Sequence, residues 1–160
     1  MLIISHRGNL NGPHSSEENA PDVVDEVLDK GFSCEVDVWV TPQRELKLGH
    51  DKGEYLVDAG WFSARASKLW IHCKNMAALE YFCNSHPNFN FFWHQEDDHV
   101  LTSHGVIWSY PGQPVSSKGI VVLPELNMKS LDLDLTKALG ICTDFPLKFD
   151  EELNGSSLRP

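Results

Sequence analysis

Basic residues are scarce in this chain. Its 160 residues carry 13 Lys+Arg against 23 Asp+Glu, a formal net charge of −10. A nucleic-acid binder presents a basic face, and an anionic membrane surface attracts basic segments, so this balance argues against both. Cysteine is sparse too. Cys34, Cys73, Cys83 and Cys142 lie far apart and form no CxxC pair, which sets aside a zinc ribbon and a disulfide scaffold. Cys34, Cys73 and Cys142 fall in apolar strand-like runs, where buried free thiols are common. No apolar run approaches the length that crosses a bilayer, so no membrane insertion is expected. The start, Met1-Leu2-Ile3-Ile4-Ser5-His6, has neither a basic n-region nor a long h-region. No signal peptide is therefore expected, and the expected location is the cytoplasm. A Gly-x-Ser-x-Gly elbow, a P-loop and a dinucleotide fingerprint are all missing. So are internal repeats, low-complexity stretches and a dividing linker, which leaves one domain over residues 1–150 and a tail over 151–160.

What is present is a β-α-β rhythm. Leu2 to Ser5 reads as a strand, and residues 9–19 as a polar loop. Ala20 to Lys30 carries Val23, Val24, Val27 and Leu28 at helical spacing, with Gly31 as a stop. Phe32 to Val40 is a second strand, Thr41 to Arg44 a turn, and Glu45 to Leu48 a segment that pairs back. Leu69 to Cys73 is a strand, Met76 to His86 a helix and Phe89 to Trp93 a strand. Val100 to Ser103 and Val106 to Ser109 are short strands joined at His104-Gly105. Ile120 to Leu123 is a strand, Leu131 to Leu139 a weak helix, and Ile141 to Thr143 the last strand. Glu151 to Pro160 is expected to fray. The rhythm favours a parallel sheet, although several middle connections are too short for a crossover helix.

The chemistry gathers at strand ends, where a β/α barrel places it. His6-Arg7-Gly8, Glu35-Val36-Asp37-Val38 and Gly49-His50-Asp51 each follow a short apolar run. The i, i+2 spacing puts Glu35 and Asp37 on one strand face. Two carboxylates so placed repel each other, and either a divalent cation or salt bridges from Arg7 or Lys74 would neutralise them. His6 and His50 suit proton transfer near neutral pH, or are hydrogen-bonded histidines at strand ends. Arg7 and Lys74 are candidate phosphate clamps, or partners of Glu18 and Asp37 in ordinary ion pairs. Glu18 either orders Arg7 beside the metal's outer shell or, with Asn19, caps the following helix. His72 shares a strand face with Lys74 and reads as a ligand, with proton donor and core histidine as alternatives. His94 and Glu125 also fall at strand ends and are candidates for the outer shell. Gln95-Glu96-Asp97-Asp98 reads as a solvated acidic loop. Trp108 to Gly112 leaves a strand end and is a candidate pocket lining for an organic group.

Ser5-His6-Arg7-Gly8, Glu18-Asn19-Ala20, Glu35-Val36-Asp37-Val38 with Thr41, and His50-Asp51, in that order, resemble the N-terminal signature of the glycerophosphodiester phosphodiesterases. Ile71-His72-Cys73-Lys74 resembles the family's Glu-x-Lys strand, with His72 where a third acidic ligand usually stands. Gly140-Ile141-Cys142-Thr143-Asp144-Phe145-Pro146 resembles its closing strand. The resemblance implies an abbreviated TIM-type (β/α) barrel with several outer helices missing or shortened, because a full barrel runs to roughly 250 residues. It also implies a metal-assisted phosphodiester hydrolase of lipid metabolism that acts on a glycerophosphodiester-like small molecule. A cyclic phosphate would be the intermediate, with His6 and His50 as acid and base. One divalent cation would sit at Glu35, Asp37 and His72. Mg²⁺ or Ca²⁺ is expected there, and His72 also admits Mn²⁺ or Zn²⁺. Two alternatives stand beside this reading: a weakly active or inactive phosphate-ligand binding protein, and a lyase that stops at the cyclic phosphate. A shortened barrel would expose apolar strand surface, which makes a homodimer a candidate assembly.

Overall fold

Short apolar strands buried on both faces set the architecture. A computed structural model describes residues 1–85, 88–126 and 134–155. Strand β1 (Leu2–His6) lies between β2 (Ser33–Val40) and β10 (Gly140–Thr143), parallel to both. Beyond β2 come β5 (Leu69–Cys73) and β6 (Asn90–Trp93). Beyond β10 come β9 (Gly119–Val122) and β8 (Ile107–Ser109), all parallel. Three short strands add antiparallel margins. β3 (Leu46–Leu48) folds back on the end of β2, β4 (Tyr55–Val57) pairs with β3, and β7 (His99–Leu101) pairs with β8.

The helices cover one half of this wall. α1 (Pro21–Asp29) crosses from β1 to β2, α2 (Ala59–Arg65) precedes β5, and α3 (Met76–Ser85) joins β5 to β6. α1 starts with proline at its first position, where the missing N–H costs nothing, and it buries Val24, Val27 and Leu28. On the other half, the described connections between β6 and β10 hold only the 3₁₀ turns Pro124–Leu126 and Leu135–Lys137. The chain is an abbreviated TIM-type barrel in which, among the described residues, no α-helix lies between β6 and β10.

Side chains alternate between two apolar layers, as the strand period requires. Ile4, Trp70, Phe92, Trp108, Ile120, Val122 and Cys142 form an inner cluster. The Trp108 ring lies 4.6 Å from Phe92 and 5.7 Å from Trp70, so the sheet curls until β5 and β6 face β8 across the interior. The backbone N–H of Ser103 closes the curl by donating to the Phe91 carbonyl at 2.8 Å. Ile3, Val36, Ile71, Val121 and Ile141 point outward into the second layer, beside Val24, Phe62 and Phe82. Cys34, Cys73 and Cys142 are free and buried, as their strand positions predict.

Three segments differ from the sequence reading. β4 and α2 occupy a stretch that shows little periodicity; the signal was Asp58, whose carboxylate caps α2 by accepting from the Trp61 N–H at 2.7 Å. The weak helix expected over Leu131–Leu139 falls partly outside the described residues, and its described part is a single 3₁₀ turn. The expected fraying of Glu151–Pro160 is corrected over its first four residues by α4 (Pro146–Asn154), which opens with proline and buries Phe149 in the outer layer, while residues 156–160 lie outside the described residues. Among the described residues, no helix is long and apolar enough to cross a membrane.

Phe62 anchors the outer layer. It is 1% exposed and meets Phe82 and Phe89 edge-on. Phe62→Ala should lower unfolding free energy by about 3–5 kcal/mol through lost contacts and the cavity left behind. Urea denaturation followed by circular dichroism measures this.

Candidate active site

Strand register brings the polar strand ends together. His6 pairs with Glu35 across β1 and β2, and Asp37 pairs with His72 across β2 and β5. A cavity of about 400 Å³ opens there. His6, Arg7, Glu35, His50, His72, Lys74 and His94 line it. Trp108, Tyr110, Pro111, Val122, Leu123 and Leu126 give the β8–β9 side an apolar wall. Seven of the ten residues singled out in the sequence therefore share one cavity. Asp37, Glu18 and Glu125 stand behind its wall.

Asp37 is 0% exposed and is the hub of the charged cluster. Arg7 Nε lies 3.0 Å from Asp37 Oδ2, and Lys74 Nζ 3.4 Å from Oδ1. His72 Nδ1 lies 3.0 Å from Asp37 Oδ1 and 3.6 Å from Glu35 Oε1. Burial pushes the Asp37 carboxyl up, but His72, Arg7 and Lys74 outweigh it and hold the group well below the usual carboxylate range. Burial lowers His72, and the two carboxylates overcome this to lift it to about 9. The ion pairs that sequence offered as alternative roles for Arg7 and Lys74 are thus formed.

Asn19 holds Asp37 in place. Its Oδ1 accepts from the Asp37 backbone N–H at 2.8 Å, and its Nδ2 donates to Asp37 Oδ2 at 3.1 Å. The helix-capping alternative for Glu18 and Asn19 is corrected here. The cap of α1 is Ala20, with no side-chain hydrogen bond, and Glu18 instead accepts from Arg7 Nη1 at 3.2 Å and from Asn9 Nδ2 at 3.0 Å. Arg7 and Asn19 both take positive φ, 55° and 65°. Such backbone is costly outside glycine and persists where surrounding contacts over-determine it. Here the Arg7 N–H donates to the Glu35 carbonyl and the Asn19 N–H to the Arg7 carbonyl.

The two histidines differ. His6 Nδ1 lies 2.8 Å from Asp144 Oδ1, with side chains 13% and 11% exposed. Burial lowers His6, but the Asp144 hydrogen bond and the field of Glu35 raise it above the ordinary imidazole value. Burial raises Asp144, and the bond to His6 overcomes it and lowers that carboxyl. Asp144 also accepts from Asn9 Nδ2 at 2.8 Å, and its own N–H donates to Glu125 Oε1 at 2.9 Å. Glu125 therefore fixes the end of β10 rather than reaching the cavity. His50 Nδ1 meets Asp51 Oδ1 at 2.7 Å in a much more open setting.

Asp144 and Asn9 are positioning residues that the sequence reading left without a role, and Asn19 is one that it offered only as a helix cap. The signal was there for two of them, since Asn19 and Asp144 stand inside the quoted motifs. Nothing local marks Asn9.

The donor set also fits a cation. Glu35, Asp37 and His72 each offer a ligand atom, all within 4.8 Å of one another. Glu35 Oε2 is buried without a hydrogen-bond donor, and Asp37 Oδ1 is met only by its ionic partners His72 and Lys74. Buried carboxylate lone pairs of this kind are costly unless paired or bound to an ion. His94 presents two more buried, unpartnered nitrogens, and burial together with His72 and Lys74 pushes it below the ordinary imidazole value.

The fold and this constellation define a TIM-type barrel with a polar site at the carboxyl ends of its strands. No family model matches the chain, and no curated protein matches it in sequence. Solved structures do match in shape. One is a glycerophosphoryl diester phosphodiesterase from Parabacteroides distasonis, 16% identical, with a TM-score of 0.56 over 99% of this chain and 87% of that one. Another, a glycerophosphodiester phosphodiesterase from the same organism, is 14% identical with a TM-score of 0.53 over 96% of each chain. At these identities the likeness is one of fold.

Asp144→Asn should lower the His6 pKa, read from imidazole proton shifts in a chelator-treated sample. His6 is raised on folding, so its pairing contributes stability fully below the ordinary value of about 6.5, and loses it as pH rises through the folded value. The wild-type thermal midpoint should fall relative to the variant's over that window.

Proposed function

We propose that this chain is a metal-assisted phosphodiesterase acting on a small glycerophosphodiester-like molecule. One observation carries the reading: His6 and His50 line the same cavity as Arg7, Lys74 and the Glu35 and His72 side chains that approach Asp37. The fold of the phosphodiesterases reported above supports it. Glu35, Asp37 and His72 would hold a divalent cation, which when bound supplies charge neutralisation and orientation of phosphoryl oxygens.

The chain's own residues do the rest. Arg7 and Lys74 offer fixed positive charge at the cavity wall for phosphoryl oxygens. A hydroxyl on the substrate attacks phosphorus and gives up its proton to one histidine. The bond from phosphorus to the leaving alcohol breaks, and the other histidine protonates that oxygen. The product is a cyclic phosphodiester, which water opens by the reverse exchange of roles. His6 is held protonated to higher pH by Asp144, which suits the acid, and His50 then takes the base role. The apolar wall from Trp108 to Leu126 borders the space left for the organic group.

The test is turnover of sn-glycero-3-phosphocholine with added divalent cation, with products followed by phosphorus NMR. His6→Ala and His50→Ala should each lose about 10²–10⁴-fold in kcat, with a much smaller change in affinity. A cyclic product that accumulates would mark a lyase. Tight binding without turnover across a phosphodiester panel would overturn the enzyme reading.

The division of labour gives a sharper expectation. With a p-nitrophenyl leaving group, which needs no proton, His6→Ala should lose far less activity than His50→Ala. Equal losses on the activated and natural esters would show that His6 is not the acid.

A further inference from the structure

The third donor of the carboxylate cluster is a nitrogen, and its direction is fixed. His72 Nε2 lies 2.9 Å from the His94 carbonyl oxygen. A carbonyl only accepts, so Nε2 keeps its hydrogen, and Nδ1 is the nitrogen that faces the carboxylates and would give up its proton to a cation bound there. The ring cannot turn freely, because it stacks on Phe92 at 5.1 Å with planes 9° apart. Backbone pairing between β2 and β5 sets His72 directly opposite Asp37. Nδ1 therefore points at Asp37 Oδ1 and Glu35 Oε1, 3.0 and 3.6 Å away. Donors that share one ion through bonds of about 2.1 Å lie about 3.0–3.4 Å apart; the Asp37 contact falls in that range, the Glu35 contact lies just outside it, and all three ligand atoms are within 4.8 Å of one another.

We propose that His72 makes this centre selective for a divalent first-row transition ion, Zn²⁺ or Co²⁺, over Mg²⁺ and Ca²⁺. The inference rests on the metal half of the function proposed above. Two features besides the imidazole drive it. Mg²⁺ sheds water reluctantly and Ca²⁺ takes six to eight oxygens, whereas these three side chains are at most 13% exposed and offer two carboxylates and one nitrogen. Arg7 and Lys74 also already face Asp37. Their charge weakens the attraction on which a hard oxygen-seeking ion depends. A bond to imidazole depends less on net charge, and imidazole suits first-row transition ions whereas carboxylate, carbonyl and water suit Mg²⁺ and Ca²⁺.

The test uses the full chain. Calorimetry with ZnCl₂, CoCl₂, MgCl₂ and CaCl₂ is run on wild type and His72→Glu, and zinc X-ray absorption spectra on wild type and His72→Gln. Wild type should prefer Zn²⁺ and Co²⁺ and should show the scattering of one imidazole. In His72→Glu the Zn²⁺-to-Mg²⁺ preference should shrink by at least the ~10–100-fold that disturbing a ligand's supporting contact costs. In His72→Gln the imidazole signature should vanish. If either variant fails to fold, the wild-type spectrum and affinities decide alone. Mg²⁺ or Ca²⁺ binding as tightly as Zn²⁺, a zinc spectrum without imidazole, or an imidazole that persists in His72→Gln would each overturn the selectivity while sparing the carboxylate site. Failure of all four ions to bind would overturn both this inference and the metal assignment beneath it.

Discussion

Asp37 is the constraint around which the rest of the site is arranged. A fully buried carboxylate survives only if its surroundings replace water. Here the replacement comes from four side chains on three parts of the chain. Arg7 arrives from the end of β1, Asn19 from the entrance to α1, and His72 and Lys74 from β5. Removing one partner of such a cluster leaves uncompensated buried charge, which typically costs about 3–5 kcal/mol. The strained backbone at Arg7 and Asn19 follows from the same requirement. Both residues leave ordinary φ so that one side chain can pair with Asp37 and the other can grip its backbone and carboxylate together. Folding and site construction are thus one event at this corner of the barrel.

The scarcity of helices among the described residues of the β8–β9–β10 side does not leave the sheet bare. Val121 and Ile141 still lie in the outer apolar layer, where Leu135, Val115, Ala138 and Phe149 pack with them. Loop residues, one 3₁₀ turn and α4 do what two longer helices would otherwise do. Cover of this kind suffices because β8 and β9 are only three and four residues long. The full set of helices remains where the charged cluster must be held, on β1, β2 and β5. Regular helices thus lie behind the strands that carry the charges, and thinner cover lies behind the apolar wall of the cavity.

Much of this was legible in the sequence, because strand periodicity and strand-end position are local signals. Ser33 to Val40 alternates, so the shared face of Glu35 and Asp37 could be read directly, and the apolar run Leu2 to Ser5 placed His6 at a strand end. Short elements without periodicity could not. β4 and α2 are three and seven residues long, and α4 announces itself only by Pro146 and one buried Phe149. The supporting shell was hidden for a different reason. Asn9 and Asp144 are 135 residues apart, yet they meet at 2.8 Å, and no spacing rule connects positions so distant. Glu125 sits at a strand end as expected, but its carboxylate turns back to Thr143 and the Asp144 N–H. Position along a strand was readable; direction in space was not.

The two cavity histidines illustrate how one residue type acquires two characters from its surroundings. His6 is held from behind by a carboxylate that is itself held by Asn9, while Glu125 secures its backbone, so its free nitrogen is aimed before any ligand arrives. His50 has only Asp51 next to it, on side chains 42% and 91% exposed, and pairs this open contribute little to ordering. Its position is set instead by backbone. Gly49 takes φ of 143°, donates its N–H to the Asp37 carbonyl and accepts from Trp39 Nε1 at 2.7 Å. The His50 loop is therefore tied at its root to the same strand that carries the buried carboxylates, while its side chain stays free to adjust. A preorganised partner on one wall and an adjustable one on the other is an arrangement that accepts ligands of different size without disturbing the charged cluster between them.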